Sequence, residues 1–412
     1  LGLTGVLIET PLLRGLLEKL GIEPVGDRRG EYKSAFETFT ASSMSEAHRE
    51  SLESLADSLE AQVTRAIAED RAIDPARVPA LIDGGPYLAS EALDAKLVDR
   101  LSYWDEVVER AKSRAGPGSA LVGLADYVAA AGPPPEGAPV IALIYGVGQI
   151  TRGESSYGAG GWVLGADTLA QALFDAADDP DVRAVLLRID SPGGSVVASE
   201  TVGRAVRQVV ARGKPVIASM ADTAASGGYW IAMDASKIVA EGGTLTGSIG
   251  VFAGKPVLDQ LWDKLGVAWG QVQRGANADM WSSLDDYDAA GRARLEAFLD
   301  RVYQAFTAGV ARGRHLPPAE VAKAAQGRVW TGAQAKDLGL VDELGGFARA
   351  LEIAKDAAGI AADQAVELRP FPTPRTPLQE ALDLLGGSSL GLAGILELLR
   401  PGPLTAPPLA VR

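Results

Sequence analysis

Apolar residues in the middle of the chain fall into short continuous runs that alternate with stretches of helical spacing. The runs 140–145, 185–189 and 216–219 are typical of strands that are buried on both faces. Asp167 is suited to cap the first of the two helical stretches between them, and Gly213 is suited to end the second. This alternation predicts an α/β fold in which parallel strands are joined by right-handed helical crossovers.

Two long stretches, 45–71 and 285–314, carry apolar residues on one face at helical spacing and predict a pair of long helices. They belong to a wider internal repeat, because similar short segments recur at separations of 242 to 245 residues. The matched positions include the pairs Pro11 and Pro256, Arg29 and Arg274, Val78 and Val321, and Leu97 and Leu340. We therefore predict a tandem duplication of one parallel-sheet unit.

The repeat divides the chain into four parts. Residues 1–115 form the back part of the first copy, and residues 139–361 form a complete second copy. The segment 116–138 is rich in proline and glycine and is predicted to be a linker. Residues 362–412 form a C-terminal tail, in which we expect two short apolar stretches, around 382–385 and 392–399, to be a docking arm or a frayed helix. The first copy is incomplete, and we expect roughly a hundred residues to be missing before Leu1.

The composition is that of an ordinary globular protein, with 412 residues of which 47% are hydrophobic and 22% are charged. The net charge of −14 argues against a nucleic-acid partner, because no basic stripe exists to neutralise phosphates. The absence of cysteine excludes disulfides and thiolate metal ligands. No run of apolar residues approaches the roughly 18 needed to span a bilayer, so we predict no transmembrane segment in this chain.

The most informative residues are a serine and a pair of glycines, each of which follows a predicted strand. Ser226 precedes Gly227 in a tight turn of small residues, and Gly193 and Gly194 follow the run 185–189. Parallel strands bring their carboxyl ends to one edge of a sheet, so we expect the two turns to lie side by side. Bare backbone N–H groups can bind an oxyanion. We predict a serine nucleophile, Ser226, with an oxyanion hole formed by Gly193 and Gly227.

A serine nucleophile needs a group that removes its proton. The chain has two histidines, His48 and His315, and neither lies in a recognisable motif. The first copy has Lys33 where the second has Ala278, so the serine and a lysine are in different copies. Burial can lower the pKa of a lysine by about 3–5 units and so make it a base. We predict a composite site in which Lys33 serves Ser226.

The motifs around these residues resemble those of the signal peptide peptidase (protease IV) family, in its long duplicated form. The resemblance covers about residues 1–360. It is carried by Tyr32-Lys33-Ser34-Ala35, Asp190-Ser191-Pro192-Gly193-Gly194, Ala225-Ser226-Gly227-Gly228-Tyr229, Leu245-Thr246-Gly247-Ser248-Ile249-Gly250 and Val329-Trp330-Thr331-Gly332. The resemblance implies a fold similar to that of the Clp protease and crotonase superfamily. It also implies Ser226 as nucleophile, Lys33 as base and Ser248 as the residue that positions the lysine amine.

The same resemblance implies peptide substrates such as the remnants of cleaved signal peptides. It further implies a homo-oligomer and, for the full-length protein, association with the extracytoplasmic face of the bacterial cell membrane. We therefore predict a Ser–Lys endopeptidase that needs no metal and no organic cofactor.

Two alternatives stay open. A non-catalytic oligomeric assembly module of the same fold is favoured if Lys33 is exposed. A crotonase-like acyl-CoA enzyme uses a similar glycine pair to polarise a thioester, but it usually places a glutamate near the reacting carbon, and the sequence offers no candidate for that glutamate.

Overall fold

The computed structural model describes residues 1–158 and 161–373, so most of the predicted tail lies outside the described residues. The strands, in chain order, are β1 (Glu23–Arg29), β2 (Val140–Val147), β3 (Gln149–Thr151), β4 (Ser156–Gly158), β5 (Gly161–Gly165), β6 (Val182–Ser191), β7 (Val216–Ala225), β8 (Lys237–Ala240), β9 (Leu245–Gly247), β10 (Val251–Val257), β11 (Val329–Thr331), β12 (Glu343–Leu344) and β13 (Glu367–Phe371).

The helices, in the same order, are α1 (Arg14–Leu20), α2 (Glu37–Thr40), α3 (Glu46–Arg71), α4 (Val78–Asp83), α5 (Ala89–Asp94), α6 (Trp104–Ala115), α7 (Leu124–Ala131), α8 (Ala166–Asp178), α9 (Val196–Ala211), α10 (Gly227–Ala232), α11 (Asp259–Leu265), α12 (Ala289–Arg314), α13 (Pro318–Ala324), α14 (Gly332–Asp337) and α15 (Phe347–Ala357).

The second copy is built around a sheet whose main path runs in the order β11-β9-β7-β6-β2-β13, with β8 beside β7 and β12 beside β8. The edge strand β13 comes from the start of the predicted tail and pairs with β2. These strands pair in parallel, except for β11, which is antiparallel to β9. The three strands predicted from the apolar runs, β2, β6 and β7, form its centre and are almost entirely buried. The prediction of an α/β fold with parallel strands is confirmed.

Helices cover both faces of this sheet. On one face, α8, α9, α10 and α12 enclose a large apolar core in which Leu173 and Val206 are completely buried. On the other face, α15 packs Ala350 and Ala354 onto the sheet. Since both faces of β6 are covered, its residues from Ala184 to Leu187 are all inaccessible to solvent, which accounts for the continuous apolar run.

Three helix boundaries differ from the sequence expectation. Gly165 occupies the cap position of α8, so Asp167 lies in the first turn, where a carboxylate still favours the positive end of the helix dipole. Helix α9 ends two residues before Gly213, whose φ of +84° allows the chain to turn into β7. Helix α12 begins after Asp288, because the side chain of Asp288 accepts a hydrogen bond from the Gly291 N–H.

The two copies meet along two elements of the first. Strand β1 pairs antiparallel with β10, with Val25 opposite Lys255. Helix α3 packs against the edge strand β11 of the main sheet, where Ser58 Oγ lies 2.8 Å from Thr331 Oγ1. The segment between β1 and α3 is therefore held against the second copy at both ends, and it contains Lys33. The boundaries of the four predicted parts stay a prediction, although the segment 116–138 does contain a short helix, α7.

A small sheet of β3, β5 and β4 also belongs to the second copy, and Ile150 of β3 bridges to Gly194. In residues 1–158 and 161–373, no helix combines the length and the apolar character that crossing a bilayer requires.

Candidate active site

Ser226 occupies the sharp turn between β7 and α10. Its backbone has φ +54° and ψ −116°, a conformation that a residue with a side chain adopts at a cost of about 1–3 kcal/mol. The turn is fixed on both sides, because Ser226 N–H donates to Gly247 O at 2.9 Å and Ser226 O accepts from Trp230 N–H at 2.9 Å. Glycine is required next to it, since a Cβ on Gly227 would lie 2.5 Å from Ser199 Oγ. The sequence thus folds so that the hydroxyl of Ser226 is held at the carboxyl end of β7.

Lys33 reaches this hydroxyl from the first copy. Its amine Nζ lies 3.0 Å from Ser226 Oγ, 2.9 Å from Ser248 Oγ and 2.8 Å from Ser248 O. The residue is only 4% exposed. Burial lowers the pKa of the Lys33 amine from 10.5 to about 7, because the charged form loses its hydration. A large part of the lysine is therefore neutral at pH 7 and able to accept a proton.

Ser248 is the second hydroxyl that contacts the lysine. It has φ +50°, is buried, and its N–H donates to Arg328 O at 2.7 Å. Gly327 packs directly against the lysine: its φ is +80°, and a Cβ there would lie 2.6 Å from Lys33 Cβ. The close approach of the two copies at this point thus depends on the absence of a side chain at Gly327.

The glycine pair lies against the serine, as the parallel sheet predicts. A Cβ on Gly193 would come within 2.8 Å of Ser226 Cβ. The loop is fixed from the small sheet, because Ile150 N–H donates to Gly193 O at 2.9 Å. The N–H of Gly193 is itself engaged, since it donates to Ser191 Oγ at 3.2 Å.

Two other N–H groups of the site, those of Gly194 and Gly227, take part in no hydrogen bond within the described part of the chain. The sequence does not predict a role for Gly194. Both Gly193 and Gly194 fit the amino-acid pattern of an oxyanion-binding loop. The two differ in the structure because only the Gly193 N–H already donates a hydrogen bond, to Ser191 Oγ.

A buried polar network that the sequence does not reveal supports the backbone of Lys33. Arg28 Nη1 donates to Lys33 O at 3.3 Å and to Glu37 Oε1 at 2.7 Å. Glu37 also accepts from Ser45 Oγ, and its Oε2 lies 3.1 Å from His48 Nδ1. Burial alone would raise the pKa of Glu37, but the hydrogen bonds from Arg28 and Ser45 lower it below its usual value. His48 is therefore part of the network that supports the Lys33 loop.

His315 lies in a different place. It has φ +54° and follows the last residue of α12, where it caps the helix. Neither His48 nor His315 forms a hydrogen bond with Ser226 within residues 1–158 and 161–373. The same residues contain no cluster of three or more histidine or carboxylate side chains arranged to hold a metal ion.

Comparison with known proteins assigns the chain to a family. The model of the peptidase family S49 matches residues 1–117 and 208–361, about two thirds of the chain. The chain belongs to peptidase family S49. The matched S49 segments contain Lys33, Ser226 and Ser248, whereas Gly193 and Gly194 lie between them.

Individual relatives agree with the family match. The chain is 34% identical over 407 residues to the chloroplastic serine protease SPPA of Arabidopsis thaliana, covering 96% of this chain and 60% of that protein. It is 36% identical over 357 residues to protease 4 of Salmonella typhi, covering 82% of this chain and 57% of that protein. The chain spans about six tenths of the length of these curated relatives.

Solved structures also align with part of the chain. A variant of ClpP1 from Listeria monocytogenes is 18% identical, with a TM-score of 0.33, and the match covers 51% of this chain and 94% of that one. A variant of the membrane-bound stomatin-specific protease 1510-N is 16% identical, with a TM-score of 0.36, and the match covers 57% of this chain and 99% of that one.

Proposed function

We propose that this chain carries the active site of a serine endopeptidase that uses a Ser–Lys dyad. The observation that supports the proposal most strongly is the distance of 3.0 Å between Lys33 Nζ and Ser226 Oγ in a buried site. A lysine with a pKa of about 7 in that position meets the requirement for a general base near neutral pH. Membership of a peptidase family points to the peptide bond as the bond that is attacked.

In the proposed reaction, Lys33 accepts the hydroxyl proton while Ser226 Oγ attacks the carbonyl carbon of the substrate. The amine donates its own hydrogens to Ser248 O and Ser248 Oγ, so its lone pair is directed toward Ser226. The protonated Lys33 then returns the proton to the leaving amine, which gives an acyl-enzyme. Water hydrolyses this ester with Lys33 acting again as base.

The tetrahedral intermediate requires donors for its oxyanion. Gly227 N–H is one candidate, and it adjoins the nucleophile. The sequence predicts Gly193 as the second, but its N–H already has Ser191 Oγ as acceptor. We propose Gly194 N–H as the second donor, and Gly193 as the residue whose conformation presents it. Each donor of this kind contributes about 3 kcal/mol to transition-state stabilisation in other hydrolases.

The proposed substrates are extended apolar peptides such as the remnants of signal peptides, and this choice rests on the resemblance of the motifs. We also propose that the full-length protein associates with the extracytoplasmic face of a bacterial membrane and assembles as a homo-oligomer. Exposed apolar residues of the second copy support assembly: Trp269, Val272 and Trp281 are each more than half exposed.

The two alternative functions receive less support. Burial of Lys33 removes the observation that would have favoured a non-catalytic assembly module. A crotonase-like enzyme would need a carboxylate at the reacting atoms, and no glutamate is hydrogen-bonded to the side chains of Ser226 or Lys33 within the described residues.

A fluorophosphonate probe tests the proposal directly, because it labels activated serines. We expect one labelled serine, Ser226, and loss of labelling in Lys33→Ala. Labelling at another serine, or undiminished labelling of Ser226 in Lys33→Ala, would contradict the Ser–Lys mechanism.

A further inference from the structure

Arg328 lies between two aromatic rings that belong to different copies. Its guanidinium carbon is 4.9 Å from the centre of the Tyr32 ring, in the first copy, and 4.6 Å from the centre of the Trp330 ring, in the second. A guanidinium between two rings is attracted to both faces. Tyr32 and Trp330 belong to motifs noted in the sequence to which the reaction assigns no role.

Glu50 of α3 closes this arrangement. Its Oε1 accepts from Arg328 Nη1 at 2.9 Å, and its Oε2 accepts from the Tyr32 hydroxyl at 2.7 Å. Arg328 Nε is buried without a hydrogen-bond partner in the described part of the chain. The position of the guanidinium therefore depends on its contacts with the two rings and with Glu50. The side chain of Arg328 is 15% exposed, which limits competition from water.

The backbone around Arg328 contacts both Ser248 and Lys33. Arg328 O accepts the N–H of Ser248 at 2.7 Å, and the preceding residue, Gly327, packs against Lys33. Tyr32 N–H donates to Gln326 O at 2.8 Å. The short segment 326–328 therefore lies between the loop of Lys33 and the loop of Ser248, and its contacts fix one relative to the other.

We propose that Arg328 is a positioning residue, which clamps Tyr32 of the first copy to Trp330 of the second and thereby sets the distance between the Lys33 amine and its partners Ser226 and Ser248. This inference rests on the Ser–Lys function proposed above. A displacement near 1 Å of a catalytic group costs on the order of 100-fold in rate. A loosened clamp also admits water to the Lys33 amine, and hydration favours its charged form.

Three substitutions separate the parts of the clamp. Arg328→Gln removes both the charge and the stacking of the guanidinium on the rings. Arg328→Lys keeps a positive charge to pair with Glu50 but loses the planar group. Tyr32→Phe removes only the hydroxyl that donates a hydrogen bond to Glu50. Arg212→Gln is the matched control, because Arg212 also lies over a ring, Phe174, and pairs with a carboxylate.

Turnover and lysine titration are then measured separately. In Arg328→Gln we expect kcat to fall about 10- to 100-fold, while KM stays within about twofold of the wild-type value. The fall in kcat should be smaller in Arg328→Lys and Tyr32→Phe. Arg212→Gln should keep the wild-type kcat. The titration of Lys33 is followed by the pH dependence of its labelling with acetic anhydride, read by mass spectrometry in a Ser226→Ala background. We expect its midpoint to rise by about one pH unit in Arg328→Gln, from about 7 toward the ordinary lysine value.

The outcomes are distinct. If Arg328→Gln and Tyr32→Phe keep the wild-type kcat and midpoint, the clamp is wrong. A fall in kcat that follows thermal stability, without any shift of the midpoint, also overturns it, since a purely structural residue behaves in that way. If Arg328→Gln does not fold, Arg328→Lys and Tyr32→Phe decide. If instead Lys33→Ala is active, the Ser–Lys function fails, while the labelling still reports whether Arg328 controls the lysine environment.

Discussion

Lys33 Nζ and Ser226 Oγ lie 3.0 Å apart although 193 residues of chain separate them. In the predicted repeat, Ala278 takes the place in the second copy that Lys33 has in the first. The pairing of β1 with β10 and the packing of α3 on the main sheet bring the two together. The serine and the lysine of the proposed dyad therefore come from two segments that are remote in the sequence.

Removal of either member of the dyad should abolish peptidase activity. Because Ser226 and Lys33 act as a unit, we expect Ser226→Ala, Lys33→Ala and the double variant to lose activity to the same extent, by several orders of magnitude. The measurement is cleavage of an apolar fluorogenic peptide. Arg212→Gln, far from the site, serves as the control. A double variant much less active than either single variant would show that the two residues act independently.

The activity should increase with pH through the pKa of the lysine. Lys33 serves as base only when neutral, so log(kcat/KM) is expected to rise with unit slope below about pH 7 and to level off above it. The comparison is with His315→Gln, which should give the same profile because His315 caps α12 on another part of the molecule. A midpoint near 10 would mean that Lys33 is solvated during catalysis.

Stability should reveal the cost of burying the same amine. The pKa of Lys33 is about 7 in the folded state and near 10.5 when unfolded, so between these values the unfolded state binds more protons and the free energy of unfolding rises with pH. Below pH 7 the full cost applies, up to about 5 kcal/mol. We expect Lys33→Met to be more stable than the wild type at pH 6 and this advantage to shrink by pH 10, as measured by urea denaturation. A pH-independent difference would contradict the low pKa.

Part of this site follows from the sequence, and part does not. Ser226 and Lys33 lie in short motifs of distinctive residues, and the strand pattern places Gly193 beside the serine, so their proximity was predictable. The first residues of helices α8 and α12 were harder to predict, because several neighbouring residues could occupy the N-cap position. The network of Glu37 with His48 joins residues 11 apart across the connection between α2 and α3, and Arg328 lies 278 residues from its partner Glu50. No helical or strand periodicity encodes either contact.

Gly327 should be indispensable for activity. Its φ is +80°, and a Cβ added at this position would lie 2.6 Å from Lys33 Cβ, so Gly327→Ala must displace the lysine. We expect a fall in kcat of about 100-fold or more. The matched control is Gly266→Ala, since Gly266 has φ +70° but open space around it, so this variant bears the same backbone strain without a clash. Equal activity of the two variants would show that the close approach at Gly327 is not needed.

Self-association should depend on the exposed apolar residues that follow α11 in the second copy. Val272 is 89% exposed and Trp269 is 57% exposed, whereas the corresponding part of the first copy, which includes β1, is paired with β10 of the second copy. Because a repeated surface tends to find the same kind of partner, we expect another chain to cover these residues. Val272→Asp should lower the mass measured by light scattering at micromolar concentration, whereas Val122→Asp, at a valine that is 62% exposed in the segment 116–138, should not. A wild-type chain that is monomeric under these conditions, or a Val272→Asp variant that assembles like the wild type, would exclude this surface as the interface.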